Sequence, residues 1–255
     1  MRILGVALLL LLPRIAAAQE SETQPLQELF LTETVYPQER GELQFTFGTR
    51  IDRASREQSS LLPFSVEYGI TDRWQIEGGW DGYSPAHSLP FQDLRSARFS
   101  IGTKYSFMNI ARSRVHASIG TDLEFSNAAA FRDGEGEQAG VEIEPVLALA
   151  IDLPFHVTVF GSGAASFAPQ EVTDVLQDRG TISVGALVVV RRATFAAEYT
   201  NRSDSLPWQL DGSALLTPSI VVHPPAKWEL GVGFPVGLRG RHQAGVAINI
   251  IKEFN

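Results

Sequence analysis

A two-residue rhythm runs through the chain from Gly41 onward: apolar and polar side chains alternate in stretches of about ten residues, with turn-forming residues between them. In residues 98–107, for example, the odd positions include Phe99, Ile101, Tyr105 and Phe107, whereas the even positions hold charged or small residues. A β-strand points successive side chains to opposite faces, so each stretch has one apolar and one polar face. The pattern therefore predicts an all-β chain.

We predict about twelve antiparallel strands that close into a transmembrane β-barrel, because a barrel in lipid needs a lipid-facing and a lumen-facing side along every strand. The predicted strands cover residues 42–51, 61–70, 74–80, 98–107, 114–125, 141–151, 156–167, 181–191, 194–200, 215–222, 228–236 and 245–254. Most of them keep the alternation clearly. The later ones are weaker, since 156–167 is rich in glycine and alanine and 181–191 is an apolar run.

Charged residues are almost confined to the polar face of these strands. The apolar face holds one, Lys252, near the chain end. A lipid-facing Arg or Lys at the bilayer midplane costs roughly 2–4 kcal/mol, so a bilayer would enforce this segregation. We therefore predict that the polar face lines the lumen. Its charged residues are Glu42, Arg50, Glu67, Glu77, Arg98, Lys104, Arg114, Asp122, Glu124, Glu142, Glu144, Arg191, Glu198 and Glu229.

Short and long connections alternate along the chain. The short ones are 71–73, 108–113, 153–155, 192–193 and 223–227, and the longer polar ones are 52–60, 83–94, 126–138, 168–180 and 201–213. Membrane barrels have short periplasmic turns, long extracellular loops and periplasmic termini, so we predict that arrangement here. Aromatic residues beside the short turns predict an interfacial girdle. They are Tyr68, Trp74, Tyr105, Phe107, Phe195 and Trp228.

The first residues have the pattern of an export signal. Arg2 supplies a positive start, residues 3–12 are apolar, and alanines at 16–18 suit cleavage before Gln19. The apolar run is about half of the ~20 residues that a membrane-spanning helix needs. We predict a signal peptide at 1–18, a polar periplasmic segment of at most partial order at 19–40, and an outer-membrane barrel at 41–255. A soluble sandwich or lipocalin-like barrel is the less favoured alternative.

The composition narrows the classes of function. The chain has no cysteine, which excludes disulfide scaffolds and cysteine-based zinc or redox sites. The mature chain would carry about −10, because the net charge of −8 includes Arg2 and Arg14 of the leader. That acidity argues against a nucleic-acid partner. The partners we expect are outer-membrane lipid of a Gram-negative cell, the barrel assembly machinery and an unidentified small solute.

Three short segments resemble a known group of barrels. They are residues 33–37 (Glu-Thr-Val-Tyr-Pro), 40–42 (Arg-Gly-Glu) and 64–73 (Phe-Ser-Val-Glu-Tyr-Gly-Ile-Thr-Asp-Arg). In these the chain is similar to the MetA-pathway phenol-degradation family of outer-membrane barrels, whose members are described as transporters or channels. The resemblance implies a barrel that passes small solutes, with aromatic or hydrophobic ones included. One departure is that Phe254, which would carry the assembly signal, is followed by Asn255.

The best candidate for enzyme chemistry is the run His116-Ala117-Ser118. Outer-membrane phospholipases and lipid A deacylases place a His-x-Ser pair on one strand face, where a proton can pass between the two side chains. Here the alternation points His116 and Ser118 into the lumen, and Ile119-Gly120 replaces the Asn-Gly that follows the serine in phospholipases. We therefore interpret both as lumen residues and predict no catalytic residues.

Other constellations are explained without chemistry. The carboxylate pairs Asp122/Glu124 and Glu142/Glu144 are expected by chance among many inward acids, and the acidic run at 133–137 lacks the spacing of an EF-hand. The Gly161-Ser162-Gly163 run is not followed by a third glycine that opens a helix, as a nucleotide loop requires. No cofactor and no metal is predicted.

Three functions remain open at this point. The first is a channel or transporter for small solutes, and the excess of inward acids would give it a preference for cations. The second is a closed-lumen structural or interaction barrel, because twelve strands are fewer than the 16–18 of open porins. The third is a lipid hydrolase of the outer membrane.

Overall fold

The computed structural model describes residues 29–54, 57–84, 91, 94–126, 140–167, 179–203, 212–239 and 243–254. The strands are β1 (Leu43–Ala54), β2 (Glu57–Thr71), β3 (Trp74–Ser84), β4 (Arg95–Phe107), β5 (Val115–Ser126), β6 (Gly140–Leu153), β7 (Val157–Ser166), β8 (Arg179–Val190), β9 (Ala193–Ser203), β10 (Ser213–Val222), β11 (Trp228–Gly233), β12 (Val236–Arg239) and β13 (Gln243–Phe254). A single 3-10 turn, Ile110–Arg112, precedes β5 within this part of the chain. The predicted signal peptide and most of the predicted long loops lie outside the described residues.

The strands close into a barrel. Neighbours in the chain pair antiparallel, and β1 pairs with β13 in one register from Leu43 opposite Phe254 to Ala54 opposite Gln243. Segments β11 and β12 both pair with β10 and β13, so they form one strand interrupted at residues 234–235. Pro235 at the break has no backbone N–H to offer a ladder. The barrel therefore has 12 strands, which confirms the predicted fold.

The outer face of the barrel is apolar, as the alternation predicts. Side chains in the middle of β4 to β6 are among the most exposed, with Ile101 at 62%, Ile119 at 55% and Leu147 at 55%. Lys252, the charged residue that the sequence predicts on this face, lies near the short-turn end with its ammonium 5.3 Å from the ring centre of Trp228. It also donates a hydrogen bond to the carbonyl oxygen of Ala226. A cation that reaches the interface and an aromatic face avoids the hydrocarbon core.

Aromatic side chains ring the outside beside the short turns. All six predicted girdle residues are exposed, and Trp74 lies opposite Tyr105 at the ends of β3 and β4. The indole N–H of Trp74 donates to Thr103 Oγ1 at 2.7 Å, so its polar atom is satisfied. Aromatic rings with a polar atom suit the boundary between lipid and water.

One predicted loop is wrong. Residues 52–60 were expected to form a long connection, but 52–54 belong to β1 and 57–60 belong to β2, and Ala54 pairs with Glu57. Asp52 is thus a strand residue: it shares the inward face with Arg50, whose Nε lies 2.7 Å from Asp52 Oδ2. A run of charged residues in the sequence is typical of a loop, but charged residues also occur in barrel strands where they face the lumen.

Within the described residues, no helix is long and apolar enough to cross a membrane.

We expect Ile101→Arg to destabilise the barrel by roughly 2–4 kcal/mol, because the new guanidinium would face lipid in the middle of β4. Ile101→Leu is the matched control and should change stability by less than about 1.5 kcal/mol. Urea unfolding in lipid vesicles, followed by electrophoretic mobility of the unheated protein, measures both. Equal stability of the two variants would contradict a lipid-facing position.

Candidate functional site

The inside of the barrel contains part of its own chain. Residues 29–40, called the plug below, lie within the lumen, where Val35 and Gln38 are 1% and 0% exposed. From the sequence, we predicted that residues 19–40 form a polar periplasmic segment of at most partial order. Its described part instead makes specific contacts with at least five strands, described next.

A buried amide network holds the plug to β1, β2 and β3. The Gln38 backbone N–H donates to Gln75 Oε1 at 2.9 Å, and its side-chain amide donates to Gln44 Oε1 at 2.8 Å and to Glu67 Oε2 at 3.2 Å. Gln75 in turn donates to Glu67 Oε2 at 2.7 Å. All four side chains are buried, so each hydrogen bond offsets a desolvation cost that would otherwise be unfavourable.

Close approach of the plug backbone requires a glycine in β2. A Cβ on Gly69 would lie 1.9 Å from the carbonyl oxygen of Glu39, which no side chain can tolerate. The Gly69 carbonyl also accepts the Gly41 N–H at 2.8 Å, and the Gly69 N–H donates to Glu42 O at 3.0 Å. Gly69 thus fixes the point where the plug turns into β1.

Two further polar contacts join the plug to the wall, an ion pair of Glu33 and a hydrogen bond from the Tyr36 phenol. Lys104 Nζ on β4 lies 3.2 Å from Glu33 Oε2 and donates to the Thr34 carbonyl oxygen. The Tyr36 hydroxyl donates to Asp152 Oδ1 on β6 at 2.9 Å. Burial, with a smaller contribution from the Asp152 charge, raises the pKa of Tyr36 well above its usual value. The phenol therefore stays protonated and acts as a donor.

The opposite wall of the lumen adds apolar contacts between its polar side chains. Leu29, Val35 and Tyr36 of the plug form one buried cluster with small and apolar side chains from β6 to β10. The wall residues of the cluster are Ala148, Ala150, Phe160, Leu187, Ala196 and Val221. We call these wall residues the apolar arc, and the polar residues of β1 to β6 that bind the plug the polar arc; the plug matches both.

Phe30 of the plug and Glu198 of β9 make a further close contact on this side of the lumen. The Glu198 carboxylate, which is 0% exposed, accepts the Phe30 N–H at 3.2 Å and the Leu31 N–H at 2.9 Å. The Phe30 ring lies against Gly231 and Gly233 of β11, where added Cβ atoms would come within 2.8 and 3.1 Å of it. Glu198 was predicted as a lumen residue, but nothing in the sequence indicated that it binds the plug.

A dense acidic array lies on β5 and β6. In the strand register Asp122 faces Glu144 and Glu124 faces Glu142, so like charges stand directly opposite one another. Arg98 Nη1 lies 2.9 Å from Glu124 Oε1 and offsets part of the repulsion. Like charges at cross-strand positions are destabilising, and this array concentrates negative potential on one side of the lumen.

The structure places most of the predicted lumen residues on the inward face, either in a strand or, for Glu42, directly before β1. Two of them do not line the lumen. Arg114 and Arg191 are exposed in the short turns before β5 and after β8, and Arg191 has a φ of 56°. β5 begins one residue later, and β8 ends one residue earlier, than the sequence predicted.

His116 and Ser118 are both buried on the inward face. Both ring nitrogens of His116 are engaged: Nδ1 accepts the Asn109 N–H at 3.1 Å, and Nε2 lies 2.8 Å from Asp152 Oδ2. Neither nitrogen is left to take a proton from Ser118, as a hydrolase would require. Because Tyr36 also binds Asp152, the histidine belongs to the plug contacts.

A partly open space remains beside the plug. It has a volume of about 360 Å³ and is lined on one side by plug residues 29–34. The other side is formed by residues of β1, β2, β3, β4, β9 and β13, among them Arg50, Pro63, Glu77 and Asn249. The plug therefore fills the lumen only in part.

No protein-family model and no curated protein sequence matches this chain. Solved structures match its fold. The NanC porin aligns with a TM-score of 0.59 and 9% identity over 81% of this chain and 98% of that chain. The KdgM porin, solved with disordered oligogalacturonate, gives 0.57 and 10% over 82% and 99%.

A third structure of this kind is an outer membrane channel of Pseudomonas putida, with a TM-score of 0.55 and 11% identity over 86% of this chain and 98% of that chain. Identities this low establish a shared architecture and leave the function to be argued from the site. The chain has the fold of 12-strand outer-membrane barrels.

Proposed function

We propose that this protein is an outer-membrane channel for small solutes whose lumen is closed at rest by its own residues 29–40. The observation that carries the proposal is the way the plug is held. Its described contacts with the barrel wall are hydrogen bonds, one ion pair and apolar packing, and a space of about 360 Å³ already adjoins it. A lumen of this kind can be vacated without breaking the barrel.

The surroundings of the plug support passage of solutes. The polar arc offers hydrogen-bonding and charged groups to a solute, and the apolar arc offers a surface for its hydrocarbon parts. Passive channels select by pore dimensions, by lining donors and acceptors, and by charge. Two of the structures with this fold are described as porins and one as an outer membrane channel, which agrees with the proposal.

Membership in the MetA-pathway phenol-degradation family is part of the same proposal, as is a solute of aromatic or hydrophobic character. Residues 33–37, which carry the resemblance, lie in the plug, and the Thr-Asp-Arg run at 71–73 makes the turn after β2. Outer-membrane lipid and the barrel assembly machinery are the proposed partners. The side chain of Phe254 points outward and is 48% exposed, in keeping with recognition from the lipid side.

A closed structural barrel is the alternative, and the extensive contacts that hold the plug inside the lumen favour it directly. The two functions differ in what happens when the plug is loosened. A channel opens, whereas a structural barrel loses stability without conducting.

We expect Tyr36→Phe/Gln38→Ala, the plug-loosened variant, to raise the open probability in planar bilayers at least tenfold. The variant removes one hydrogen bond to Asp152 and two buried ones to Gln44 and Glu67. Each contributes about 1 kcal/mol net, and about 1.4 kcal/mol is a factor of ten.

Glu39→Gln is the matched control for this experiment. Its side chain is exposed in the same segment, so single-channel records should remain those of the unmodified protein. A plug-loosened variant that is folded and silent would refute the channel and leave the structural barrel.

The open lumen should prefer cations. In the plug-loosened variant we expect the reversal potential in a KCl gradient to show cation selectivity, because acids outnumber bases around the array on β5 and β6. Adding Glu142→Gln and Glu144→Gln should shift that potential toward zero. Asp72→Asn removes the charge of an exposed turn carboxylate outside the lumen. The Asn side chain keeps an oxygen for the hydrogen bond from the Arg40 N–H, so the reversal potential should stay unchanged. Anion selectivity would contradict the prediction.

A further inference from the structure

The seat of Phe30 has the form of a ligand-binding site. An added Cβ on Gly231 would lie 2.8 Å from Phe30 Cζ, and one on Gly233 would lie 3.1 Å from Phe30 Cγ. The long axis of the ring therefore runs along β11 across both glycines. Val221 and Thr217 methyl groups of β10 lie beside the same two positions. This forms a flat slot for one aromatic ring in the lumen wall.

A buried carboxylate lies at one end of the slot. Glu198 of β9 is 0% exposed and lies opposite Thr217 in the strand register. It accepts two backbone N–H groups of the plug, those of Phe30 and Leu31, at 3.2 and 2.9 Å. Removing a carboxylate from water is unfavourable unless donors replace the water. With the plug displaced, this carboxylate is open to a cation or another N–H donor in place of the two plug N–H groups.

The occupant has a recognisable skeleton. Phe30 presents an aromatic ring, Cβ, Cα and a nitrogen in sequence, with the ring in the glycine slot and the nitrogen on the Glu198 carboxylate. The same order of atoms makes up a 2-arylethylamine. An ammonium group would supply up to three donors in place of the two amide N–H groups, and its hydrogen bonds to a carboxylate are charge-assisted.

We infer that the slot formed by Gly231, Gly233 and Glu198 is a subsite for arylethylamine-type cations, and that Phe30 occupies it as a built-in competitor. The inference rests on the proposed channel, whose solute it specifies. The space beside the plug includes Phe30 in its lining, so a solute in that space reaches the slot. Its volume of about 360 Å³ lies within the ~300–1,000 Å³ of small-molecule pockets.

Charge inside the lumen supports a cationic occupant over a neutral one. The array of Asp122, Glu124, Glu142 and Glu144 raises the local concentration of cations in the lumen. A neutral aromatic alcohol would fill the ring slot equally well but would offer the Glu198 carboxylate one uncharged donor. The carboxylate, and not the slot, therefore sets the preference for an amine.

The test uses the full-length protein with Phe30→Pro and Leu31→Pro, called the slot-vacated variant below. The two substitutions remove the Phe30 ring from the slot and both backbone N–H donors from Glu198. Binding of 2-phenylethylamine, 2-phenylethanol and ethylamine is measured by calorimetry in detergent, where no conduction is needed. We expect 2-phenylethylamine to bind the slot-vacated variant at least tenfold more tightly than either analogue, and at least tenfold more tightly than it binds the unmodified protein.

Two further substitutions, each added to the slot-vacated variant, test the carboxylate and the ring slot separately. Glu198→Gln should abolish the advantage of the amine over the alcohol, whereas Gly231→Ala should weaken both aromatic ligands about tenfold. Glu39→Gln is the control and should change neither. The change in electrophoretic mobility on heating shows whether each variant is folded. If Glu198→Gln does not fold, the loss of affinity expected for Gly231→Ala tests the site by itself.

Equal affinity for amine and alcohol in the slot-vacated variant, or an amine preference that survives Glu198→Gln, would overturn the inference. The outcome is independent of the channel itself. Channels that conduct without binding the amine would refute the subsite alone. A protein that binds the amine with the predicted selectivity, but never conducts when the plug is loosened, would refute the channel and leave the binding site.

Discussion

The pairing of β1 with β13 is the constraint on which the rest of the structure depends. Hydrocarbon offers no hydrogen-bonding partner, so every backbone N–H and C=O in a membrane must be satisfied within the protein. The twelve-residue register from Leu43 to Ala54 on β1 closes the last free edge. Once the edge is closed, each strand must give one face to lipid and the other to the enclosed space. This division of each strand into two faces explains why charged and apolar residues alternate along the sequence.

Closure also creates an interior that has to be filled with water, with side chains or with another segment. A narrow lumen lined by carboxylates and amides would leave many buried polar groups short of partners. The plug supplies partners to both walls: Gln38 donates hydrogen bonds to Gln44 and Glu67, and Leu29 and Val35 cover the apolar arc. The plug is therefore a folded part of the barrel interior, although it crosses no membrane.

The sequence contains enough to predict the barrel and too little to predict its plug. Strand alternation has a fixed period and repeats along the chain, so an error at one end, such as Arg114 or the loop at 52–60, does not disturb the rest. The plug has no period, and its contacts join residues far apart in the chain, for example Leu31 with Glu198. Such pairings are decided by three-dimensional packing and leave no local pattern.

One local signal marks the wall against which the plug packs, although not the pairings themselves. Residues 187–190 are apolar on both faces, which a barrel strand with a water-filled lumen would not need. The inward members Leu187 and Val189 pack in or against the cluster that includes Leu29, Val35 and Tyr36. A strand that is apolar on both sides indicates an apolar partner inside the barrel, and the apolar residues at 29–31 are the matching segment.

The balance between the two walls explains how a closed lumen can still be opened. The apolar arc and the amide network favour the plug, but the plug also brings Glu33 into a lumen that already holds the acids of β5 and β6. Lys104 binds Glu33, and Arg98 binds Glu124, so both cations are engaged while Asp122 and Glu144 remain opposite each other. A cation entering the lumen would relieve the repulsion that the plug does not. Hydrophobic contact thus holds the plug in place, and electrostatics favour its exchange for a cationic solute.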